Sequence, residues 1–211
     1  MFKVLRTGCQ WRELASNLVS PKTIHNYFRR WSEAGIFKTA YQKILAYVRR
    51  QKPDLYYAVD STLIKNIGGR NCLGGNHADR GRNASKISVI VNNNGIPLNI
   101  KIFPGNRHDS ILFRSTIENS LVRLTHRLPV HADKAYDNRP CRKVLQDNHL
   151  NDAILKKRVY NSPILQKNRL VVEHFFAWLK MYRRLILRYD HKVSNYLAFV
   201  YLASSSIALA K

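Results

Sequence analysis

Acidic residues are scarce in this chain. Its 211 residues include 36 Lys and Arg but only 13 Asp and Glu, which gives a formal net charge of +23 at pH 7. A charge of this size says little about the fold, but it predicts a polyanionic partner such as nucleic acid. The 45% hydrophobic content excludes an intrinsically disordered chain and suits one medium-sized domain, with or without a small additional module.

Paired cysteines and long hydrophobic runs are also missing. Cys9, Cys72 and Cys141 lie far apart and form no CxxC motif, so we expect neither a disulfide framework nor a thiolate zinc site. The N-terminus is too polar for a signal peptide, and we expect a reducing, cytoplasmic location. The most apolar stretch, residues 196–210, is too short to span a membrane and is typical of a buried helix.

Residues 1–51 are expected to form a small helical module that binds DNA. Ser20-Pro21 is a typical helix start, and Gly35 is a plausible end. Helical spacing also extends upstream, over residues 11–18. Two short helices, the second basic and aromatic, favour a helix-turn-helix, and the alternative is a helical bundle that reads no bases. The apolar positions of the second helix are Ile24, Tyr27, Phe28 and Trp31, and its expected DNA contacts are Arg29 and Arg30.

Residues 52–211 combine short strands with helices. Alternating apolar residues predict strands, and the sequence NNNG at residues 92–95 predicts a hairpin between two of them. Asp109 is a candidate N-cap for the first helix of this region, and the alternative is that it assists at the functional site. The element order indicates an α/β mixed sheet flanked by helices. The predicted strands are residues 55–64, 87–91, 96–102, 129–133 and 153–156, and the predicted helices are 109–124, 140–148, 166–187 and 194–211.

Asp60 and Asp133 are carboxylates in unusual surroundings. Asp60 lies within the apolar run YYAVDSTLI, and Asp133 ends the short strand PVHAD. A buried carboxylate is costly unless it is paired or bound to metal. If the two strands pair in parallel, both side chains lie at the carboxyl ends of neighbouring strands, where open α/β sheets bind ligands. The alternative is that each Asp pairs with an arginine or caps the next helix.

Glu173 is the third candidate carboxylate. It borders the apolar face of a predicted helix, with Arg169 and Lys180 on its own side of that helix. Taken alone, this pattern is also that of an ordinary, weak ion pair. Together with Asp60 and Asp133, however, it offers three hard-oxygen ligands that suit Mg²⁺ or Mn²⁺. Two such ions, roughly 3.5–4 Å apart, support in-line phosphoryl displacement.

These motifs, in this order, resemble the DDE transposases of bacterial insertion sequences, in particular the insertion-sequence-five group. The resemblance covers nearly the whole chain and includes the R-(3)-E-(6)-K spacing of Arg169, Glu173 and Lys180. The family pattern has Tyr where this chain has Gln166, and often Glu where it has Asp190. The other matching segments are LRTGCQWREL, YFRRWSEAGIF, VDSTLIK, GRNASKISVIVNNNGIPL, IFPGNRHDS and HADKAYD.

The resemblance implies an RNase H-like catalytic domain at residues 52–211, preceded by the DNA-binding module. It implies Asp60, Asp133 and Glu173 as catalytic ligands of two Mg²⁺ or Mn²⁺ ions, with Asp137 as the alternative to Asp133. The implied reaction is cleavage at the transposon ends, followed by attack of the freed 3′-hydroxyl on target DNA. The implied partners are terminal inverted repeats, target DNA and further copies of the chain. Phosphate contacts are expected from Arg29, Arg30, Lys86, Arg169, Lys180, Arg183 and Arg184.

Other functions are compatible with parts of this pattern. An RNase H-like nuclease or resolvase would only hydrolyse DNA. An inactive or domesticated transposase would only bind DNA, and the short segment before Leu5 keeps that alternative open, because family members carry some tens of residues there. An RNA-binding structural protein would account for the charge but not for the three carboxylates.

Overall fold

Three helices open the chain. A computed structural model describes residues 1–14, 19–158, 160 and 162–211. The first helices are α1 (Phe2–Thr7), α2 (Pro21–Glu33) and α3 (Ile36–Gln51). The predicted start of α2 is confirmed, because the Ser20 side chain accepts a hydrogen bond from the backbone N–H of Thr23 at 3.2 Å. Gly35 separates α2 from α3 with a φ of +70°, a conformation that glycine adopts without strain. The helix expected upstream is a short 3₁₀ turn at Trp11–Glu13, and its continuation through residues 15–18 lies outside the described residues.

A seven-stranded mixed sheet forms the centre of the molecule. Its main strand order is β4-β3-β1-β5-β6; β3 is antiparallel to β1 and β4, whereas β1, β5 and β6 are mutually parallel. This arrangement confirms the expected α/β, RNase H-like sheet. The short β2 is antiparallel to the first residues of β3, and β7 pairs with the end of β1. The strands are β1 (Tyr57–Asn66), β2 (Gly74–Asn76), β3 (Arg82–Asn92), β4 (Pro97–Pro104), β5 (Pro129–Ala132), β6 (Asn151–Ile154) and β7 (Leu187–Arg188).

Four helices follow the first strands, and two of them differ from the sequence prediction. The N-cap of α4 is His108, whose ring accepts a hydrogen bond from the Ser110 N–H, so the prediction that Asp109 caps this helix was wrong. α4 also ends at Glu118 rather than near residue 124, and α6 ends at Lys180 rather than at 187. The helices are α4 (Asp109–Glu118), α5 (Arg139–Asp147), α6 (Pro163–Lys180) and α7 (Val193–Leu209).

The last helix, α7, joins the N-terminal helices to the rest of the core. Phe199 of α7 stacks on Phe28 of α2 with ring centroids 4.3 Å apart, and Trp11 lies against both rings. The Tyr41 hydroxyl of α3 donates to the Pro97 carbonyl of β4 at 2.6 Å. The predicted burial of the apolar C-terminal stretch is thus confirmed. Among the described residues, no helix has the length and apolarity needed to cross a membrane.

Candidate active site

The register of two parallel strands brings Asp60 and Asp133 side by side. Val59 of β1 is paired with Ala132 of β5, so the next residue of each chain segment is one of the two aspartates. The predicted parallel pairing is confirmed. Asp60 does not end its strand, however, because β1 continues to Asn66 along its antiparallel partner β3. Asp60 therefore lies in mid-strand, at the point where β5 stops and leaves one side of β1 open.

Asp60 is a largely buried carboxylate with both like and opposite charges around it. Burial, together with the carboxylates of Asp109 and Asp133, raises the pKa of Asp60 to about 6. The Ser61 backbone N–H, which donates to Asp60 Oδ1 at 2.8 Å, and the Arg169 guanidinium act in the opposite direction. Like-charge repulsion among carboxylates at one buried edge is what a bound divalent cation would relieve.

Glu173 extends from α6, the helix that packs across β1, β3 and β5. It is half exposed and ion-paired with Arg169, with 2.6 Å between Oε1 and the guanidinium. The same guanidinium also interacts electrostatically with Asp60. One arginine therefore faces two of the three predicted catalytic carboxylates, and its Nε is buried with no hydrogen-bond partner among the described residues.

The donor set has the chemistry that Mg²⁺ and Mn²⁺ prefer, since all three predicted ligands are carboxylates. Asp60 and Asp133 fit a shared ion, because they are neighbours in the sheet register. Glu173 would have to exchange Arg169 for the ion. Within the described part of the chain, no three His, Cys, Asp or Glu side chains are close enough together to hold a metal.

Asp137, the alternative second ligand, is engaged elsewhere. Its Oδ1 accepts a hydrogen bond from Arg142 and its Oδ2 accepts one from the Lys157 N–H, both at 2.6 Å. The Lys157 N–H and Arg142 lower the pKa of Asp137. Through these two hydrogen bonds, Asp137 connects α5 to the segment that follows β6. Among the described residues, Asp133 uses only Oδ1, as an acceptor from the Lys134 N–H at 2.7 Å, so the geometry favours Asp133 over Asp137.

The predicted phosphate-binding residues fall into two groups. Lys86 is buried, and its ammonium donates to the Arg107 carbonyl at 2.7 Å and to Asp109 Oδ1 at 2.8 Å. Arg184 is also buried and pairs with Asp190 at 2.9 Å. These two cations are directed into the fold rather than at solvent. The exposed members are Arg29, Arg30, Lys180 and Arg183, and Arg169 is partly buried.

Three further side chains surround Asp60. Ser61 and Tyr136 were not assigned to the site from the sequence, and Asp109 was considered there only as the alternative to a helix cap. The Ser61 hydroxyl donates to Asp109 Oδ1 at 2.5 Å. The Tyr136 hydroxyl is buried without a hydrogen-bond partner among the described residues, and the carboxylates of Asp60 and Asp109 help burial to raise its pKa. Asp109 and Tyr136 lie in the motifs IFPGNRHDS and HADKAYD, but nothing in their spacing predicts that they meet at β1.

Comparison with known proteins identifies transposases as relatives of this chain. A family model described as "Transposase DDE domain" matches residues 51–207, and one described as "Putative transposase of IS4/5 family" matches residues 1–41. The "Putative transposase for insertion sequence element IS402" of Burkholderia cepacia is 32% identical over 141 residues, which cover 64% of this chain and 67% of that protein. The corresponding protein for element IS6501 of Brucella ovis is 33% identical over 131 residues, which cover 59% of this chain and 98% of that protein.

Solved structures offer only a distant likeness. The catalytic domain of Mos1 mariner transposase matches with a TM-score of 0.36 and 10% identity, over 70% of this chain and 89% of that one. The Mos1 paired-end complex with Mn matches with a TM-score of 0.36 and 13% identity, over 99% of this chain and 77% of that one. TM-scores this low do not inform the site. The match of the family model to residues 51–207, in contrast, shows the family of the chain. On that evidence, the chain belongs to the family of transposases with a DDE domain.

Proposed function

We propose that this transposase cuts DNA at the ends of an insertion sequence and then joins the freed 3′-hydroxyl to target DNA. The observation that carries the proposal is the parallel register that sets Asp60 beside Asp133 at the open side of β1. Both steps are displacements at phosphorus, so one pocket serves both if only the nucleophile changes. Both require hard-oxygen ligands and a positively charged surface for the DNA backbone.

In this proposal Asp60 and Asp133 hold Mg²⁺ or Mn²⁺, and Glu173 completes the ligand set. Two bound ions would supply activation of the attacking water or hydroxyl and stabilisation of the departing oxygen. Arg169 pairs with Glu173 and faces Asp60 in the structure. When Glu173 turns away from it, the guanidinium becomes available for a DNA phosphate, for which its planar geometry is well suited.

The exposed cations define the proposed DNA contacts. Arg29 and Arg30 lie on α2, Lys180 ends α6, and Arg183 follows it. We propose that α2 contacts the terminal inverted repeats and that the others hold the DNA backbone near the carboxylates. Joining two ends in one reaction requires more than one copy of the chain on DNA, so the active form is proposed to be a homo-oligomer acting on DNA in the bacterial cytoplasm.

A cleavage assay tests the catalytic assignment. DNA carrying the element's own terminal sequences is incubated with Mg²⁺ and with wild type, Asp60→Asn, Asp133→Asn or Glu173→Gln. We expect each variant to lose cleavage by more than about 100-fold while still binding DNA, because each loses one ligand charge and leaves the basic surface intact. Asp147→Asn, which removes an exposed carboxylate on α5, is the matched control and should cut like wild type.

The products and the metal dependence distinguish the alternatives. Joined strands identify a transposase, whereas hydrolysis alone identifies a nuclease or resolvase. If wild type binds these ends but cuts with neither Mg²⁺ nor Mn²⁺, the proposal is wrong and the chain is a DNA-binding protein. If it cuts but Asp60→Asn cuts equally well, the site has been assigned to the wrong carboxylates.

A further inference from the structure

We infer that Ser61, Asp109 and Tyr136 are positioning residues for the Asp60 carboxylate, an inference that rests on the proposed function of the same site. None of the three is a predicted metal ligand. Each contributes a different contact. Ser61 is hydrogen-bonded to both Asp60 and Asp109, Asp109 holds the Ser61 hydroxyl, and Tyr136 contributes a buried hydroxyl.

Ser61 links Asp60 to Asp109. Its backbone N–H donates to Asp60 Oδ1 at 2.8 Å, and its hydroxyl donates to Asp109 Oδ1 at 2.5 Å. Since both donors belong to one residue, a shift of Asp109 is transmitted to the backbone that holds Asp60. A hydrogen bond to a charged acceptor is about twice as strong as a neutral one, so both connections resist such a shift.

Asp109 is itself held in place from the sheet. The buried ammonium of Lys86, on β3, donates to Asp109 Oδ1 at 2.8 Å and to the Arg107 carbonyl at 2.7 Å. Asp109 does not cap α4, because His108 does. Among the described residues, its side-chain hydrogen bonds run only to β1 and β3, so they connect the start of α4 to the strand that carries Asp60.

Tyr136 is the third side chain of this group. Its side chain is 1% exposed, its ring packs on Phe113 with centroids 5.4 Å apart, and its hydroxyl has no hydrogen-bond partner among the described residues. A buried hydroxyl without a partner destabilises a fold. This one interacts electrostatically with Asp60 and Asp109. It also lies close to the Ser61 side chain, so the Tyr136 hydroxyl belongs to the group of polar atoms around Asp60.

The link through Ser61 is tested with a double-mutant cycle. Ser61→Ala and Asp109→Ala should each slow cleavage about tenfold to a hundredfold at saturating DNA and raise the Mg²⁺ concentration that cleavage requires. The double variant should be no slower than either single one, because both remove the same connection. Ser61→Thr keeps the hydroxyl and should restore activity. His108→Ala, which removes only the cap of α4, controls for general loosening of that helix.

Tyr136→Phe separates positioning from stability. Removal of the unpaired hydroxyl should leave the melting temperature unchanged or raise it, while cleavage falls by about tenfold. A residue with a merely structural role would lose stability and activity together. Unchanged cleavage in this variant would remove Tyr136 from the inference.

Failure of the inference and failure of the proposed function are distinguishable. If wild type does not cut, the proposed function fails, and positioning is judged from the rise in melting temperature that Mn²⁺ produces, which requires no cleavage. Ser61→Ala and Asp109→Ala should reduce that rise equally, and the double variant no further. If both variants respond to Mn²⁺ and cut like wild type, or if their effects multiply in the double variant, the inference is overturned.

Discussion

At the scale of single residues, Asp60 carries the greatest electrostatic cost in the candidate site. Its charge is buried beside two other carboxylates, with one guanidinium and one backbone N–H in compensation. Catalytic sites commonly hold such perturbed groups, although ion-pair networks perturb pKa values as well. What distinguishes Asp60 is its place in the sheet, next to Asp133 and below the helix that carries Glu173.

The raised pKa of Asp60 predicts a pH-dependent stability. Because the folded-state pKa of about 6 exceeds the ordinary value of 3.8, the stability that protonation of Asp60 contributes is complete below about pH 3.8 and is lost as the pH rises through 6. Asp60→Asn has the same shape and no charge. Its gain over wild type in the free energy of unfolding should therefore grow by about 1.5 kcal/mol between pH 5 and pH 8.

Urea unfolding with EDTA at the two pH values measures this gain. Asp147→Asn is the control, because Asp147 is exposed and cations lower its pKa, so its substitution should bring no gain at high pH. An equal gain for Asp60→Asn at both pH values would show that the Asp60 charge is not destabilising.

The buried pair Arg184–Asp190 gives a second prediction. Both side chains are nearly inaccessible and lie 2.9 Å apart, and Arg184 also lies over the rings of Tyr189 and Phe199. Asp190→Ala leaves a buried guanidinium unpaired and should lower the free energy of unfolding by about 3–5 kcal/mol. Glu13→Ala, which breaks an exposed ion pair with Arg12, should have a far smaller effect. Thermal unfolding of the two variants side by side makes the comparison, and similar losses would contradict the assignment of a structural role to Arg184.

At the scale of elements, α2 has one buried face and one solvent-exposed face. One face is buried: Phe28 is inaccessible and packs against Trp11, Phe37 and Phe199. The other exposes aromatic and basic side chains to solvent. This division follows from the helical period, since residues three and four apart share a face. It also makes α2 structurally part of the core that contains the C-terminal helix.

The shared core gives a prediction about α2. Phe28→Ala should lower the free energy of unfolding by about 3–5 kcal/mol, because a buried aromatic ring is lost and its neighbours cannot fill the space. Tyr27→Ala, on the exposed face, should change it by less than about 0.5 kcal/mol. Urea unfolding followed by both tryptophan fluorescence and circular dichroism is the measurement. Separate transitions for the two signals would indicate that residues 1–51 unfold independently, as the predicted domain boundary implies.

At the scale of the whole molecule, the excess of 36 cations over 13 anions should govern the binding to DNA that we propose. Neutralised phosphates release counterions, so the affinity for DNA should fall steeply as salt is added. The exposed cations that we propose as DNA contacts lie on α2 and around the end of α6.

The salt dependence identifies which cations contact phosphate. Replacing both Arg29 and Arg30 with Ala should reduce the slope of log K against log salt concentration by about 2. Replacing Lys38 and Lys43, exposed cations of α3, removes the same charge and should change the slope by less. Fluorescence anisotropy over a series of salt concentrations gives both slopes. Equal changes in the two variants would assign the effect to net charge and not to α2.

Local signals in the sequence predicted most of the secondary structure. The start of α2, the hairpin between β3 and β4 and the burial of α7 follow from capping residues, turn residues and apolar periodicity, all of which act within a few positions. The short strands β2 and β7 were missed, because strands of three and two residues have too few positions for a period to be recognised. The predicted end of α6 lies seven residues too late, since residues after Lys180 continue the apolar spacing but enter a 3₁₀ turn at Arg183.

The family, the order of most elements and the small set of candidate carboxylates could be predicted from the amino-acid sequence alone, because a buried Asp in a strand is conspicuous in a basic chain. The partners of these carboxylates follow from the three-dimensional fold. Ser61 meets Asp109 across 48 positions and Lys86 meets it across 23, and these contacts make a predicted helix cap part of the candidate site. Which charged side chains are buried, and which groups they contact, depends on packing between segments that are far apart in the sequence. A local sequence pattern carries no information about such contacts.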